Sequence, residues 1–273
     1  MKKLFLKAVA FILFCALFFS CAHEHANPAP TGSGSIMLEF DNVVGDLQMQ
    51  LDSSKNTFTN SSGEKFSLTQ FKYYISNIRF KKSDGSEYVV PQDSSYFLVL
   101  ENDPESQEVN IPNIPFGDYQ SVTFTIGIDS LRSTAEPSKK TGVLSPDYAI
   151  ENGMYWNSYE AYIFFKADGF SLASPDSIGY TFQYHVGGYG GQNSATLNNI
   201  KTITLQLPDG GATVRSNISP EVHMLVDCLK LFSGTNTIRI ADSYKEINSA
   251  LGPKLADNYK SMFLVHHVHN DPK

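Results

Sequence analysis

Ile36-Met37-Leu38-Glu39-Phe40-Asp41 is the stretch that decides the fold, because Ile36, Leu38 and Phe40 recur at every second position. A two-residue period places these three side chains on one face of a strand and the residues between them on the other face. The stretch is therefore predicted to be a half-buried strand, the first of the folded domain.

The same period recurs along the rest of the chain, at Val122, Phe124, Ile126 and Ile128, at Ile203, Leu205 and Leu207, and at Ile238 and Ile240. Two further predicted strands, Tyr73 to Phe80 and Tyr88 to Val90, flank Ser83-Asp84-Gly85-Ser86, in which Asp-Gly is a strong hairpin signal. Helical pattern is found mainly over Tyr244 to Leu251 and Lys254 to Phe263, on either side of Gly252-Pro253. We expect an all-β fold, an antiparallel β-sandwich of the Greek-key type with short C-terminal helices.

The N-terminus has the pattern of an export signal. Lys2, Lys3 and Lys7 precede an apolar run from Ala8 to Phe19, which is too short to span a bilayer core. Ser20 and Cys21 follow the run and look like the lipobox of bacterial lipoproteins, in which the cysteine is acylated. An ordinary secretory signal, cleaved near Ala22 or Ala26, is the alternative.

The predicted organisation follows from this signal. Residues 1–20 are a lipoprotein signal peptide, residues 21–35 a flexible tether rich in small residues, and residues 36–270 one β-sandwich domain. The mature protein is then held by its lipid outside the cytoplasm, in the bacterial cell envelope and on the outer membrane. The formal net charge of −7, with no cluster of Lys and Arg, excludes a nucleic-acid partner.

The cysteines allow no internal disulfide in the mature domain. Cys15 leaves with the signal and Cys21 is the predicted lipidation site, which leaves Cys228 alone. Cys228 follows a largely apolar segment and is predicted to be a small core residue, in preference to a metal ligand or nucleophile.

The histidines are few and clustered, which suggests a metal site. His267 and His269 lie two residues apart, so in an extended segment they present two imidazoles on one side. Imidazole suits copper, zinc, iron and nickel. The alternative is a solvated C-terminal tail that holds His266, His267 and His269 by chance. His23 and His25, in the tether, would bind a metal weakly.

Two more histidines fall in predicted strands. His185 shares a face with Thr181 and Gln183 and points away from the aromatic residues of its strand. His223 shares a face with Asp227, which either orients it as a ligand or forms a simple hydrogen-bonded pair with it.

Trp156 is the single tryptophan, and the residues around it favour the interpretation that it belongs to a structural aromatic cluster. The chain has no Gly-x-Ser-x-Gly elbow, no His-Glu-x-x-His helix, no nucleotide fingerprint and no EF-hand loop. We therefore predict that it is not an enzyme.

Several separated motifs resemble the MbnP-like family of methanobactin-associated copper-binding proteins, and they occur in the same order. They are Lys72-Tyr73-Tyr74-Ile75-Ser76-Asn77-Ile78, Ile126-Gly127-Ile128-Asp129, Gly153-Met154-Tyr155-Trp156, Phe182-Gln183-Tyr184-His185-Val186-Gly187-Gly188 and Asp257-Asn258-Tyr259 through Met262-Phe263 to His267-Val268-His269.

The resemblance implies an exported β-rich protein that binds copper, for storage, delivery or sensing. It places the metal ligands at His185, His223, His267 and His269 and makes Trp156 a possible kynurenine precursor, oxidised by a partner di-haem enzyme of the MauG type. Two positions depart from many relatives: Ser158 stands where a second tryptophan occurs, and Asn42 stands where a first-strand histidine occurs. Either departure could remove a ligand or the oxidation chemistry in this interpretation.

A different class of function stays open from the sequence. The sandwich could be a non-metal module that presents Tyr184, Tyr189 or Tyr159 to a carbohydrate or to a partner protein. Stacking on a sugar requires these aromatic rings to lie outside the core.

Overall fold

The computed structural model describes residues 31–51, 58–158, 161–191, 193–247 and 249–272. The predicted signal peptide, the lipidation site Cys21, and His23 and His25 lie outside the described residues, as does Tyr159. No helix in the described ranges is both long enough and apolar enough to cross a bilayer.

The described chain is built mainly from strands. They are β1 (Ser33–Val44), β2 (Leu47–Gln48), β3 (Phe58–Thr59), β4 (Lys65–Lys82), β5 (Glu87–Val89), β6 (Tyr96–Leu100), β7 (Glu108–Pro115), β8 (Gly117–Ile126), β9 (Tyr155–Trp156), β10 (Ala161–Phe170), β11 (Thr181–Gly187), β12 (Lys201–Gln206), β13 (Ala212–Val214), β14 (Glu221–Asp227), β15 (Lys245–Ile247) and β16 (Phe263–His269). The α-helices are α1 (Ser130–Ser133), α2 (Pro146–Glu151), α3 (Leu229–Ser233) and α4 (Gly252–Tyr259). In the described ranges, four single-turn 3-10 helices lie in the loops, at Gln92–Ser94, Pro104–Gln107, Pro137–Lys139 and Gly142–Leu144.

The smaller sheet contains the stretch that opened the sequence analysis. Its strand order is β16-β14-β1-β2, and β7 also pairs with β1. Ile36, Leu38 and Phe40 are buried, while Glu39 and Asp41 between them are half-buried on the outer face. The predicted alternation is therefore confirmed.

The larger sheet is organised around the long strand β4. Its order is β12-β8-β4-β10-β11-β15, with short strands added along its edges. β4 and β5 pair antiparallel across Ser83-Asp84-Gly85-Ser86, as the Asp-Gly signal predicted.

The main core lies between the two sheets. The ring of Phe40 in the smaller sheet packs edge-on against Tyr73 and Phe124 of the larger sheet, with ring centroids 6.2 and 6.0 Å apart. Phe263 of β16 contacts the same three rings. Edge-to-face pairs of this kind add to the stabilisation from burial. The predicted β-sandwich is confirmed.

A second, smaller core covers part of the outer face of the larger sheet. It contains Tyr74, Tyr162 and Phe164 from the sheet and Leu144 and Met154 from the segment that includes α2. This layer places α2 and the turn after it against the outer faces of β4 and β10.

Two strand pairings differ from the antiparallel prediction. β1 pairs with β14, and β11 pairs with β15, in parallel. The sheets are therefore mixed, and the parallel β1 and β14 pairing brings together residues that are far apart in sequence.

The strand predicted at Ile238 and Ile240 is wrong. Both side chains are buried in the main core, but the segment is irregular. The amide groups of Ile240 and Ala241 donate to the carboxylate of Glu64 at 2.8 and 3.0 Å. The Glu64 carboxylate thus supplies the hydrogen-bond acceptors that a neighbouring strand would otherwise provide for these two amides.

Of the two predicted C-terminal helices, the structure has only the second within the residues it describes. Lys245–Ile247 of the first is strand β15, because it pairs with β11 and forms the edge of the larger sheet. Sheet pairing here overrides a weak helical propensity. The second helix runs from Gly252 to Tyr259, with Pro253 in its first turn, and Phe263 begins β16.

Candidate metal centre

Three histidines converge on the outer face of the smaller sheet. His223 comes from β14, and His266 and His267 come from the neighbouring strand β16. One potential ligand nitrogen of each lies within 4.8 Å of the other two. The rings of His223 and His267 stack with centroids 4.7 Å apart. We call these three residues the histidine triad.

A β-bulge explains why two consecutive residues point the same way. Met224 pairs with Val265 and His223 pairs with His267, so His266 is an extra residue on β16. On either side of this point Val265 and Val268 are buried, whereas His266 and His267 both face outward. A bulge of this type re-aims side chains on the strand that carries it.

Two carboxylates stand beside the triad because β1 pairs in parallel with β14. Glu39 is directly opposite His223, and Asp41 follows on the same outer face. His223 Nε2 lies 3.8 Å from Glu39 Oε2 and 3.6 Å from Asp41 Oδ2. Burial, followed by a hydrogen bond and charge repulsion from Glu221, raises the pKa of Glu39 to about 7. Burial and the neighbouring acids thus favour the neutral form of Glu39 in the metal-free protein, and a cation bound at the imidazoles would favour its carboxylate form.

The protonation state of His223 suits a metal ligand. Burial lowers its pKa, and the neighbouring His267 lowers it further, so the neutral ring with a free lone pair is favoured. Its Nδ1 atom is buried and has no hydrogen-bond partner in the part of the chain that the structure describes. A buried polar atom without a partner is costly. This orphaned nitrogen, with two more imidazoles beside it, fits a bound cation of the kind that imidazole prefers.

The pair of histidines on β16 is also close. Nδ1 of His266 and Nδ1 of His267 lie 2.8 Å apart, which is hydrogen-bond distance if one of the two nitrogens carries the proton. With both nitrogens deprotonated, two lone pairs face the same small space.

The predicted metal ligand His269 lies next to the triad but outside it. Its ring centroid is 4.4 Å from that of His267, which confirms that these two side chains share a face. The side chain of His269 is more than half exposed and lies 3.9 Å from Asp271.

His185, the fourth predicted ligand, belongs to the other sheet. It lies in β11, and its Nε2 is 2.8 Å from Oδ1 of the buried Asp168. The side chain points outward, away from Phe182 and Tyr184, as predicted. His185 and the histidine triad are on opposite outer faces of the sandwich, so the structure does not bring all four predicted histidines together.

Trp156 is also on the side of the larger sheet. It packs against the second core, and its ring approaches Gly187 so closely that an added Cβ there would be 2.6 Å from Trp156 Cζ3. The aromatic-cluster interpretation of Trp156 is confirmed.

Asn42, the first departure from many relatives, is fully buried, where it accepts from the Tyr73 hydroxyl and donates to Glu101, each at 2.9 Å. Ser158, the second departure, follows Trp156 near the end of a described range.

Three further predictions have clear outcomes. Cys228 is fully buried in the main core, where burial raises the pKa of its thiol, so it is a core residue as predicted. Asp227 does not pair with His223; it accepts from the amides of Gly45 and Leu229, both at 2.9 Å. Tyr184, proposed as an exposed platform, is instead fully buried, and Tyr189 is half-buried.

Sequence reasoning missed His266, Glu39 and Asp41 as members of the site. The only signal for His266 is the His-His dipeptide, which on a regular strand would point to opposite faces. The two acids carry no local signal, because only the pairing of β1 with β14 places them there.

The fold and the triad define a class: a β-sandwich protein with a histidine-rich outer face. The chain belongs to the MbnP family, whose model matches residues 33–249. Among solved structures, it is similar to MbnP from Methylosinus trichosporium, with a TM-score of 0.50 and 15% identity over 81% of this chain and 83% of that chain. At this identity the likeness concerns the fold. No curated protein matches the chain.

Proposed function

We propose that this protein binds copper through the histidine triad and acts in copper storage, delivery or sensing at the bacterial cell envelope. The observation that carries the proposal is the convergence of three imidazoles, one of which has a buried nitrogen with no partner in the described residues. Membership of the MbnP family supports copper as the metal.

His223, His266 and His267 would hold the ion, and copper would supply charge and redox capacity at this surface. Glu39 and Asp41 stand behind His223 and offset the positive charge of a bound cation. Among the described residues the site has no thiolate, because Cys228 is buried in the core, so the donor set there is imidazole nitrogen with carboxylate oxygen nearby.

Copper retention tests the proposal directly. The purified chain is loaded with copper, desalted, and analysed for metal per chain. We expect one retained copper, lost in His223→Ala and in His267→Ala. His185→Ala is the matched control, since it removes an imidazole from the opposite face and should keep the metal. Absence of retained copper, or its loss only in His185→Ala, would contradict the assignment.

The anchoring and partner proposals have separate tests. Acylation at Cys21 predicts that the wild-type chain sediments with membranes and that Cys21→Ala does not. Oxidation by a di-haem partner of the MauG type predicts a kynurenine at Trp156 in protein from native cells, which peptide mass spectrometry detects. An unmodified Trp156 peptide would remove the oxidase from the proposal without affecting the triad.

A further inference from the structure

A row of basic side chains crosses the outer face of the larger sheet, with two lysines at its centre and one edge and a histidine at the other edge. Lys166 of β10 lies directly opposite Lys72 of β4 on one side and directly opposite His185 of β11 on the other. Like charges that face each other across neighbouring strands destabilise a sheet. The fold therefore maintains a repulsive arrangement at this place.

The positive charge is only partly compensated within the described chain. Asp168 serves two members of the row: Oδ1 is 2.8 Å from His185 Nε2 and Oδ2 is 3.8 Å from Lys166 Nζ. Lys72 has no carboxylate within 4.0 Å among the described residues. Its Nζ donates instead to the carbonyl oxygen of Asn152 at 2.8 Å. Burial, and then the charge of Lys166, lowers the pKa of Lys72.

Both lysines line one cleft, next to the turn that follows α2. The cleft has a volume of about 560 Å³, within the usual range for small-molecule sites. Thr69, Gln70 and Asn102 also line it, and their side chains make no hydrogen bond within the described part of the chain. The side chain of Lys166 is 9% exposed, and its Nζ also contacts the carbonyl oxygen of Gly153 at 3.1 Å.

We propose that this cleft binds a small anion through carboxylate or phosphate oxygens, with Lys72 and Lys166 as its two cationic contacts. An ammonium group is a compact point charge that suits either kind of oxyanion. The amide and hydroxyl groups of Gln70, Asn102 and Thr69 provide additional hydrogen bonds to such a ligand. Glu151, the acid that lines the cleft, is exposed and makes no ion pair with either lysine.

This site is separate from the histidine triad, since it lies on the opposite outer face of the sandwich. It also accounts for the paired lysines, because a bound oxyanion attracts both Lys72 and Lys166 and offsets the repulsion between them. The proposal holds or fails independently of copper binding.

Calorimetric titration of the purified chain with inorganic phosphate and, separately, with citrate tests the site. We expect one binding event per chain for at least one probe, weakened at least tenfold in Lys72→Met and in Lys166→Met. Lys201→Met is the control, since it removes a lysine that pairs with Asp257 elsewhere and should bind as wild type does. Binding of phosphate alone assigns a phosphate ligand, and binding of citrate alone assigns a carboxylate. Binding of neither, or unchanged affinity in Lys72→Met, overturns the proposal.

A measurement on the wild-type chain covers the case in which a variant fails to fold. Acetylation of individual lysines is followed by mass spectrometry with and without the probe that binds. We expect acetylation of Lys72 to slow at least threefold in the presence of the probe and that of Lys201 to stay the same. Equal labelling of Lys72 in both conditions rules out the cleft as the binding site.

Discussion

Replacing His223 with leucine should stabilise the metal-free protein while removing its response to copper. In the metal-free chain the buried Nδ1 of His223 has no hydrogen-bond partner among the described residues. An unsatisfied buried polar atom costs about 1–3 kcal/mol. Nε2 loses little on substitution, because its carboxylate neighbours at 3.6 and 3.8 Å are beyond hydrogen-bond distance.

The magnitude follows from these two contributions. The side chain is 16% exposed, so leucine is also buried there and keeps most of the packing. We expect a net gain of about 1 kcal/mol in the free energy of unfolding, equivalent to a rise in Tm of about 3 °C for a chain of this size. A ligand at a hundred times its Kd stabilises wild type by about 2.7 kcal/mol, which His223→Leu should not show.

Thermal unfolding with and without copper, followed by circular dichroism, measures both effects. His269→Leu is the matched control: this histidine is more than half exposed and outside the triad, so both Tm values should stay close to those of wild type. A loss of stability in metal-free His223→Leu would show that this histidine is structural. A copper-induced rise in Tm that survives the substitution would refute the triad as the binding site.

Three further predictions follow from named contacts. Burial raises the pKa of Glu101 to about 7 from an ordinary value of 4.5, so the stability that its carboxyl contributes is present below pH 4.5 and falls as the pH rises to about 7. Glu101→Gln keeps the acceptor for Asn42 and should therefore unfold later than wild type near pH 8, with the two about equal near pH 4, in urea titrations. Gly187→Ala would place a Cβ 2.4 Å from the Tyr162 carbonyl oxygen and should cost about 2 kcal/mol by the same assay. Trp156→Phe should leave copper affinity unchanged in a competition titration, because Trp156 and the triad lie on opposite faces; a tenfold loss would contradict the separation.

Local patterns in the sequence predict the parts of the fold that local forces determine. Alternation at Ile36, Leu38 and Phe40 identified β1 and its buried face, and Asp84-Gly85 identified the β4 and β5 hairpin. The same reasoning fails where a partner distant in sequence determines the local structure. The amide of Ile240 bonds to Glu64, and Lys245–Ile247 pairs with strand β11, although neither partner is near in sequence.

The site could be predicted only in part for the same reason. The two-residue period correctly placed His267 and His269 on one face. It could not place His266 there, because the bulge depends on how β16 pairs with β14. Nor could it separate His185 from His223, since both are outward-facing strand residues and only the sheet to which each belongs distinguishes them.

The region matched by the family model contains only one member of the histidine triad. The match ends at residue 249, so His185, His223 and Trp156 lie within it, whereas His266 and His267 lie beyond it. Family membership alone therefore does not supply two of the three imidazoles. They reach His223 because β16 returns to pair with β14 and bulges at that point. Because Trp156 and His185 are on the other outer face, copper binding at the triad and oxidation of Trp156 are physically separable properties of this chain.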